Sequence, residues 1–219
     1  MSDLIAKGDD QVQSWDDIWE NKSILNRIVD VGRVPYNWWF LHKIGKHAKV
    51  DAFCELGCGT SSLLAKIAKT CKKVVGIDNS DKALERSRRF FKTQGVTNGE
   101  FIKDDALDLK IEERFDTVWS QGLIEHFEDP AKVVQQHLKI TKKGGTTIIS
   151  VPFRYGYQYP WYILTRPKLL QRFWPWTEQI FFNKKMLIEA LHKYCPEQKN
   201  FKVKTGWLMG IIMLFVEKQ

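Results

Sequence analysis

Phe53-Cys54-Glu55-Leu56-Gly57-Cys58-Gly59-Thr60-Ser61 is the stretch on which the reading of this chain turns. An apolar run from Val50 to Leu56 meets two closely spaced glycines, and an amphipathic stretch, Ser61–Thr70, follows at once. This is the pattern of a strand feeding a tight turn that opens a helix. Glycine lets the backbone turn sharply and lets a ligand approach without a Cβ in the way. In an open α/β sheet such a turn lies at the carboxyl edge, where ligands bind. A lone G-x-G also fits a plain strand-to-helix turn. Glu55 narrows the choice, because a carboxylate at a buried strand end is costly unless paired. It suits a cationic amine on a ligand and would repel a pyrophosphate. Ser62 stands where the dinucleotide pattern G-x-G-x-x-G has its third glycine, which argues against a nicotinamide cofactor.

Outward from this turn, short apolar runs alternate with amphipathic stretches, the signature of parallel strands joined by crossover helices. The runs are Val50–Leu56, Val74–Ile77, Gly99–Ile102, Phe115–Trp119 and Thr146–Val151, with helices expected over Ser61–Thr70, Asp81–Gln94 and Pro130–Ile140. Asn183 can cap a further helix through Tyr194, with Leu187, Ile188 and Leu191 on one face. Phe201–Thr205 and Leu208–Glu217 complete about seven strands, both expected to run against the others. The fold class is therefore α/β: a doubly wound, Rossmann-like sheet, mostly parallel with an antiparallel last strand and helices on both faces. Before it, Trp15, Ile18, Trp19, Ile24, Leu25 and Ile28 have helical spacing, and a second helix is expected after Pro35 through Trp38, Trp39, Leu41 and Ile44.

Several acids and one histidine fall at strand ends. Val74-Val75-Gly76-Ile77-Asp78 ends in an acid 21 residues after Gly57, placed to accept both hydroxyls of a ribose. Asp78 could equally cap a helix, a role for which Ser80 competes. Phe101-Ile102-Lys103-Asp104-Asp105-Ala106 offers an acceptor for an amino group, and Phe115–Ser120 leads into Gln121-Gly122-Leu123-Ile124-Glu125-His126-Phe127. Taken together, E-L-G-C-G-T, V-G-I-D, D-D-A, F-D-T-V-W-S, I-E-H-F and L-K-I-T-K-K-G-G make residues 50–151 resemble the core of class I S-adenosylmethionine-dependent methyltransferases. They resemble especially the broad small-molecule group that includes ubiquinone- and menaquinone-type enzymes. The resemblance implies S-adenosyl-L-methionine as cofactor and S-adenosyl-L-homocysteine as product. It implies that Glu55 orders the loop or the methionine amine, that Gly57, Cys58 and Gly59 pass under the methionine part, and that Asp78 with Asn79 holds the ribose. Asp105 would take the adenine amine with Ala106 beside it, and Gln121 would lie near the sulfonium. Ser61 departs from the pattern, since many relatives have a third glycine there. For catalysis His126 is the candidate base, with Glu125 as its orienter or substitute; a structural turn is the plain alternative.

One domain is expected: 1–49 as an N-terminal helical cap, 50–151 as the cofactor-binding core, 152–182 as an aromatic and basic insertion, and 183–219 as the C-terminal helix and strands. The residues from Trp15 to Tyr36 are expected to fold over the cofactor as a lid. The insertion holds 11 of the 28 aromatic residues, interleaved with Arg154, Arg166, Lys168 and Arg172. Its Arg154, Tyr155, Tyr157, Tyr159 and Trp161 are the expected substrate pocket, for a small, apolar or lipid-like acceptor. The net charge is +8, and residues 151–219 carry +7 of it, which suits an anionic partner such as a phosphate-bearing substrate or an anionic membrane touched peripherally. Ser120-Gln121-Gly122-Leu123 lacks the Asn/Asp-Pro-Pro-aromatic run of base-amino methyltransferases, which disfavours nucleic acid, although an RNA acceptor or a non-catalytic binding adaptor stays open. Oligomeric state is not legible. The four cysteines, Cys54, Cys58, Cys71 and Cys195, have no zinc-like spacing, so no metal is expected and reduced thiols are. Met1–Asp10 is polar, and the longest apolar run, Leu208–Val216, is nine residues and too short to span a bilayer, so a cytoplasmic protein is expected.

Overall fold

In a computed structural model, residues 37–165 and 179–219 are described. The proposed lid from Trp15 to Tyr36 lies outside them, as do Arg166, Lys168 and Arg172. Among the described residues seven strands form one sheet in the order β3-β2-β1-β4-β5-β7-β6. They are β1 (Ala52–Leu56), β2 (Lys73–Asp78), β3 (Gly99–Lys103), β4 (Phe115–Gln121), β5 (Thr141–Pro152), β6 (Phe201–Gly206) and β7 (Ile211–Glu217). Neighbours from β3 to β5 pair in parallel, and β7 pairs antiparallel with both β5 and β6. The final strand is therefore reversed as expected. The expectation that β6 is reversed too is corrected: two successive antiparallel pairings return it to the direction of β5. The chain order reverses between β1 and β4, the switch point where an open α/β sheet leaves a crevice at its carboxyl edge.

Helices cover both faces. They are α1 (residues 37–44), α2 (Ser62–Ile67), α3 (Asp81–Thr93), α4 (Pro130–Ile140), α5 (Gln158–Thr165) and α6 (Lys184–Tyr194). Side chains alternate along the strands, so two cores form. Cys54, Leu56, Val75, Ile77 and Val118 pack with Val133, Val134 and Leu138 of α4 and Leu187 and Leu191 of α6. Phe53, Val74, Trp119, Ile148 and Phe215 pack with Phe40 and Ile44 of α1, Leu63 and Leu64 of α2 and Phe91 of α3. Phe40 and Ile44 are four residues apart on one helical face, and Phe40 meets the Trp119 ring edge-on at 5.1 Å between centroids. Asn37 Nδ2 donates to Ser62 Oγ at 3.2 Å, so α1 begins against the first turn of α2. The helix caps foreseen are present, with Ser80 accepting from Ala83 N and Asn183 Oδ1 from Met186 N.

β5 starts at Thr141, five residues before the apolar run shows it, with a register shift between Phe115 and Thr117 of its β4 partner. Phe153 and Phe182 form a parallel bridge, closed by Arg154 N to Phe182 O and Phe182 N to Pro152 O, each 2.9 Å. No helix of the described residues is long and apolar enough to cross a membrane.

Candidate active site

The glycine turn is tied to the end of β2. Gly57 N and Cys58 N both donate to Ile77 O, at 2.8 and 3.0 Å. Asp78 then holds the turn from the side: its Oδ2 accepts from Gly59 N at 2.9 Å and its Oδ1 from Ser80 N at 3.0 Å. Gly57 and Gly59 have φ of 69° and 52°, the left-handed region open to glycine. A Cβ on Gly57 would stand 2.7 Å from Leu123 Cδ1, so the loop after β4 leans directly over the turn. Cys58 turns its thiol inward, where a Cβ on Gly76 would meet its Sγ at 2.9 Å; only its backbone remains toward the crevice. Asn79 is exposed beside Asp78.

Ser61 has φ of 53° and is the one non-glycine residue among those described with positive φ. This is the left-handed state that glycine adopts without a Cβ penalty. Ser87, fully buried on α3, compensates: its Oγ donates to Gly59 O at 2.6 Å and lies 3.0 Å from Ser61 Oγ. Sequence reasoning missed Ser87. The available signal was a small polar residue on the face that α3 otherwise buries with Ala83, Leu84 and Phe91.

Glu55 faces the same side of the sheet as Phe53, buried beneath the turn. Trp119 Nε1 donates to its Oε1 at 3.2 Å, while Oε2 has no hydrogen-bond partner among the described residues. Burial pushes this carboxyl up to about 8; the Trp119 bond pulls down and the nearby Asp78 charge pushes up. A buried acid with one oxygen left without a partner among the described residues can accept a further hydrogen bond at the foot of the glycine turn. Trp119, the last residue of an apolar run in the sequence, is both core and the group that orients Glu55.

Beyond β3, the two adjacent aspartates divide their work. Asp104 is spent on the backbone, accepting from Asp105 N, Lys110 N and Ile111 N at 2.9, 2.8 and 3.1 Å. Asp105 is exposed and accepts from Leu107 N at 2.9 Å. Asp104 N donates to Asp78 O at 3.2 Å, which sets this loop beside the β2 end. Ala106 is buried behind it. Glu55, Asp78, Asp105 and Gln121 thus stand at the carboxyl ends of four neighbouring strands or just past them.

Past β4, Ile124–His126 form a single 3-10 turn. Glu125 is buried and His126 half-buried, so the two side chains leave the turn in different directions. Glu125 Oε2 has no hydrogen-bond partner among the described residues, and burial raises its carboxyl to about 8, against a small lowering by its own backbone N–H. The structure does not join Glu125 and His126 as a hydrogen-bonded pair through that oxygen. Ile180 N donates to Glu125 O at 2.9 Å, and Phe182, two residues on, carries the bond to Arg154. The turn bearing Glu125 and His126 and the start of the aromatic insertion are therefore held at the two ends of one short extended segment.

The aromatic residues of the insertion divide. Tyr159 and Tyr162 pack on Phe181, each 5.1 Å between centroids, and the Arg154 guanidinium lies 5.9 Å from the Tyr159 ring. Tyr155, Tyr157 and Trp161 are exposed. Arg154, Tyr155, Gly156, Tyr157 and Pro160 line an open groove of about 330 Å³ whose other wall is Trp207 and Leu208. That second wall comes from the β6–β7 connection and was not foreseen from the sequence. Among the described residues no cluster of three His, Cys, Asp or Glu is arranged to hold a metal ion.

The family model described as "Methyltransferase domain" matches residues 47–200. The ubiquinone biosynthesis O-methyltransferase of Leptothrix cholodnii is 26% identical over 67% of this chain and 61% of its own length. The enzyme of the same name from Stutzerimonas stutzeri is 26% identical over 76% of this chain and 70% of its own. The matched part of the chain thus spans about three fifths of the first of these relatives. Magnesium protoporphyrin IX methyltransferase from Synechocystis, solved with bound S-adenosylhomocysteine, superposes with a TM-score of 0.63 over 97% of this chain and 90% of its own, at 15% identity. Fold, motif order and family model agree, and the chain belongs to the class I S-adenosylmethionine-dependent methyltransferase family.

Proposed function

We propose that the chain is an O-methyltransferase acting on a hydroxyl of a small, apolar, quinone-type acceptor that carries an anionic group. The observation that carries the cofactor half is the orphaned Glu55 carboxyl beneath a glycine turn clamped by Asp78. Those residues fit S-adenosylmethionine: Glu55 would face the methionine ammonium, Gly57 and Gly59 would give its chain room, Asp78 would take the ribose and Asp105 the adenine amine. When bound, the cofactor supplies a methyl group made electrophilic by its sulfonium.

The chain's own work is alignment, exclusion of water and removal of one proton. Proximity in a well-aligned site supplies on the order of 7–11 kcal/mol in favourable cases. His126 accepts the acceptor's hydroxyl proton as the new O–C bond forms. Glu125, largely protonated near neutral pH, lines the same turn as a neutral donor. Arg154 pairs with the anionic group, and Tyr155 and Tyr157 border the apolar ring. The relatives' name supports the choice of oxygen and of a quinone-type ring. The test is turnover: S-adenosylhomocysteine should accumulate when the protein meets catechols or phenols bearing a carboxylate and an apolar tail. His126→Ala should lower kcat by about 10²–10⁴-fold, the usual share of a general base, with cofactor affinity retained. Cofactor binding without turnover on any such phenol would exclude this reading in favour of an adaptor.

A further inference from the structure

The β6–β7 connection, residues 207–209, is a 3-10 turn standing at the carboxyl edge of the sheet, the edge that holds the cofactor turn. Its two leading side chains are apolar and bare: Trp207 is 65% and Leu208 83% exposed. Across the groove Tyr155 and Tyr157 are 64% and 55% exposed. The two walls are locked together by glycines. A Cβ on Gly156 would stand 2.5 Å from Gly210 Cα, Gly156 N donates to Phe153 O, and Phe153 N donates to Gly210 O. A third element joins them, since a Cβ on Gly206 would meet the Trp39 ring of α1 at 2.4 Å, and Lys43 Nζ lies 5.6 Å from that ring. The segments that meet here, 37–44, 153–165 and 201–210, contain Lys43, Arg154, Lys202 and Lys204 and not one Asp or Glu; Glu217 of the adjoining strand stands at the far end of β6, where Asn200 donates to it.

Large apolar side chains at a protruding tip, tyrosines beside them and described neighbouring segments that carry cations and no acid form the chemistry of an interfacial anchor. Tyrosine and tryptophan rest at the headgroup level with their ring bodies toward the acyl chains, and cations meet anionic headgroups within a Debye length. A water-soluble anionic partner would be met by the cations alone and would leave Trp207 and Leu208 in water. We infer that this face docks on an anionic bilayer surface, with Trp207 and Leu208 inserted at the headgroup boundary and Lys43, Arg154, Lys202 and Lys204 above it. The groove then opens onto the bilayer, and an apolar acceptor reaches Arg154 and Tyr155 without crossing water. This deepens the acceptor reading above and rests on it only for the groove's contents; the docking itself does not.

The experiment is flotation of the full chain with vesicles of phosphatidylcholine alone and of equimolar phosphatidylcholine and phosphatidylglycerol. Binding to the anionic vesicles only, weakening as salt rises, is the expected result. Trp207→Ser with Leu208→Ser should lower the vesicle partition coefficient by about tenfold or more. Lys202→Gln with Lys204→Gln should lower it by roughly an order of magnitude at low salt and less at high salt. Both variants should keep S-adenosylhomocysteine affinity, measured by calorimetry, which certifies their fold and tests the family site separately. Wild type that ignores anionic vesicles overturns the inference. So does wild type that binds both vesicle types equally, or a Trp207/Leu208 double variant that floats like wild type. A concentration-dependent dimer abolished by the same double variant would assign the patch to a second copy of the chain instead.

Discussion

Replacing Glu55 by Gln exposes the electrostatics of the cofactor site in a measurement that counts protons. Burial sets the Glu55 carboxyl at about 8, well above its ordinary 4.5. At pH 7 about nine molecules in ten are then protonated there. If this carboxyl receives the methionine ammonium, the bound form is ionised, so binding expels the proton. The expected release is about 0.9 proton per site at pH 7, about 0.5 at pH 8 and about 0.1 at pH 9. Affinity should accordingly rise by nearly tenfold per pH unit below about pH 8 and level off above it. The assay is calorimetry of S-adenosylhomocysteine in buffers of different ionisation enthalpy, where the slope of observed heat against buffer enthalpy gives the proton count. Glu55→Gln should bind more weakly, and both its slope and its pH dependence below 8 should flatten. Wild-type binding with no proton release at pH 7, or an equal slope in the variant, refutes the ammonium assignment. The same shift has a stability signature. The folded carboxyl holds a proton that the unfolded chain sheds above 4.5, so this contribution is complete below about 4.5 and lost as pH rises through about 8. Glu125, raised to about 8 by burial, adds in the same direction. The cofactor-free protein should therefore lose thermal stability between about pH 5 and 8, and the Gln variant should lose less.

Asp78→Ala should weaken S-adenosylhomocysteine binding by about 1–3 kcal/mol, the range for a hydrogen bond to a charged acceptor; unchanged affinity by calorimetry would remove the ribose assignment. Ser87→Ala leaves Gly59 O and Ser61 Oγ short of a buried partner, so denaturant titration should show a loss of about 1–3 kcal/mol. At Ser61 the two substitutions should part: Gly relieves about 1 kcal/mol or more of left-handed strain while giving up the Ser87 contact, for little net change. Ala gives up the contact and keeps the strain, so equal stabilities of the two variants would contradict the strain account.

The parts of the fold that announce themselves in the sequence are those decided locally. Apolar strand ends followed by Gly57, Asp78 and Asp105 mark the carboxyl edge because a buried run that stops at a glycine or an acid has few other uses. The direction of β6 was not legible, since it depends on β7 inserting between β5 and β6, a pairing between segments about 60 residues apart. The tip at Trp207 and Leu208 was hidden by continuity: the apolar run from Leu208 reads as strand, and the break is made by Gly210, at φ 63°. The early start of β5 was masked by Lys142, Lys143 and two glycines, in a stretch where Lys142 pairs with Asp116 at 2.7 Å. The aromatic insertion read as one pocket from composition, yet packing separates Tyr159 and Tyr162, turned toward Phe181, from the outward Tyr155, Tyr157 and Trp161.

The reversal of β7 also makes one short connection exchangeable. Six consecutive residues of β7, Ile211–Val216, are buried, and the strand is paired on both sides, so the hairpin's base is among the most deeply held parts of the sheet. The turn it supports, by contrast, carries two exposed side chains, Trp207 and Leu208, with Met209 packed back on the core and Gly206 and Gly210 closing its two ends. Length and composition can change in that turn while the sheet beneath and the crevice between β1 and β4 keep their shape. A lineage of such proteins could therefore be retargeted to new acceptors, or grafted between them in the laboratory, by trading about three residues at the hairpin.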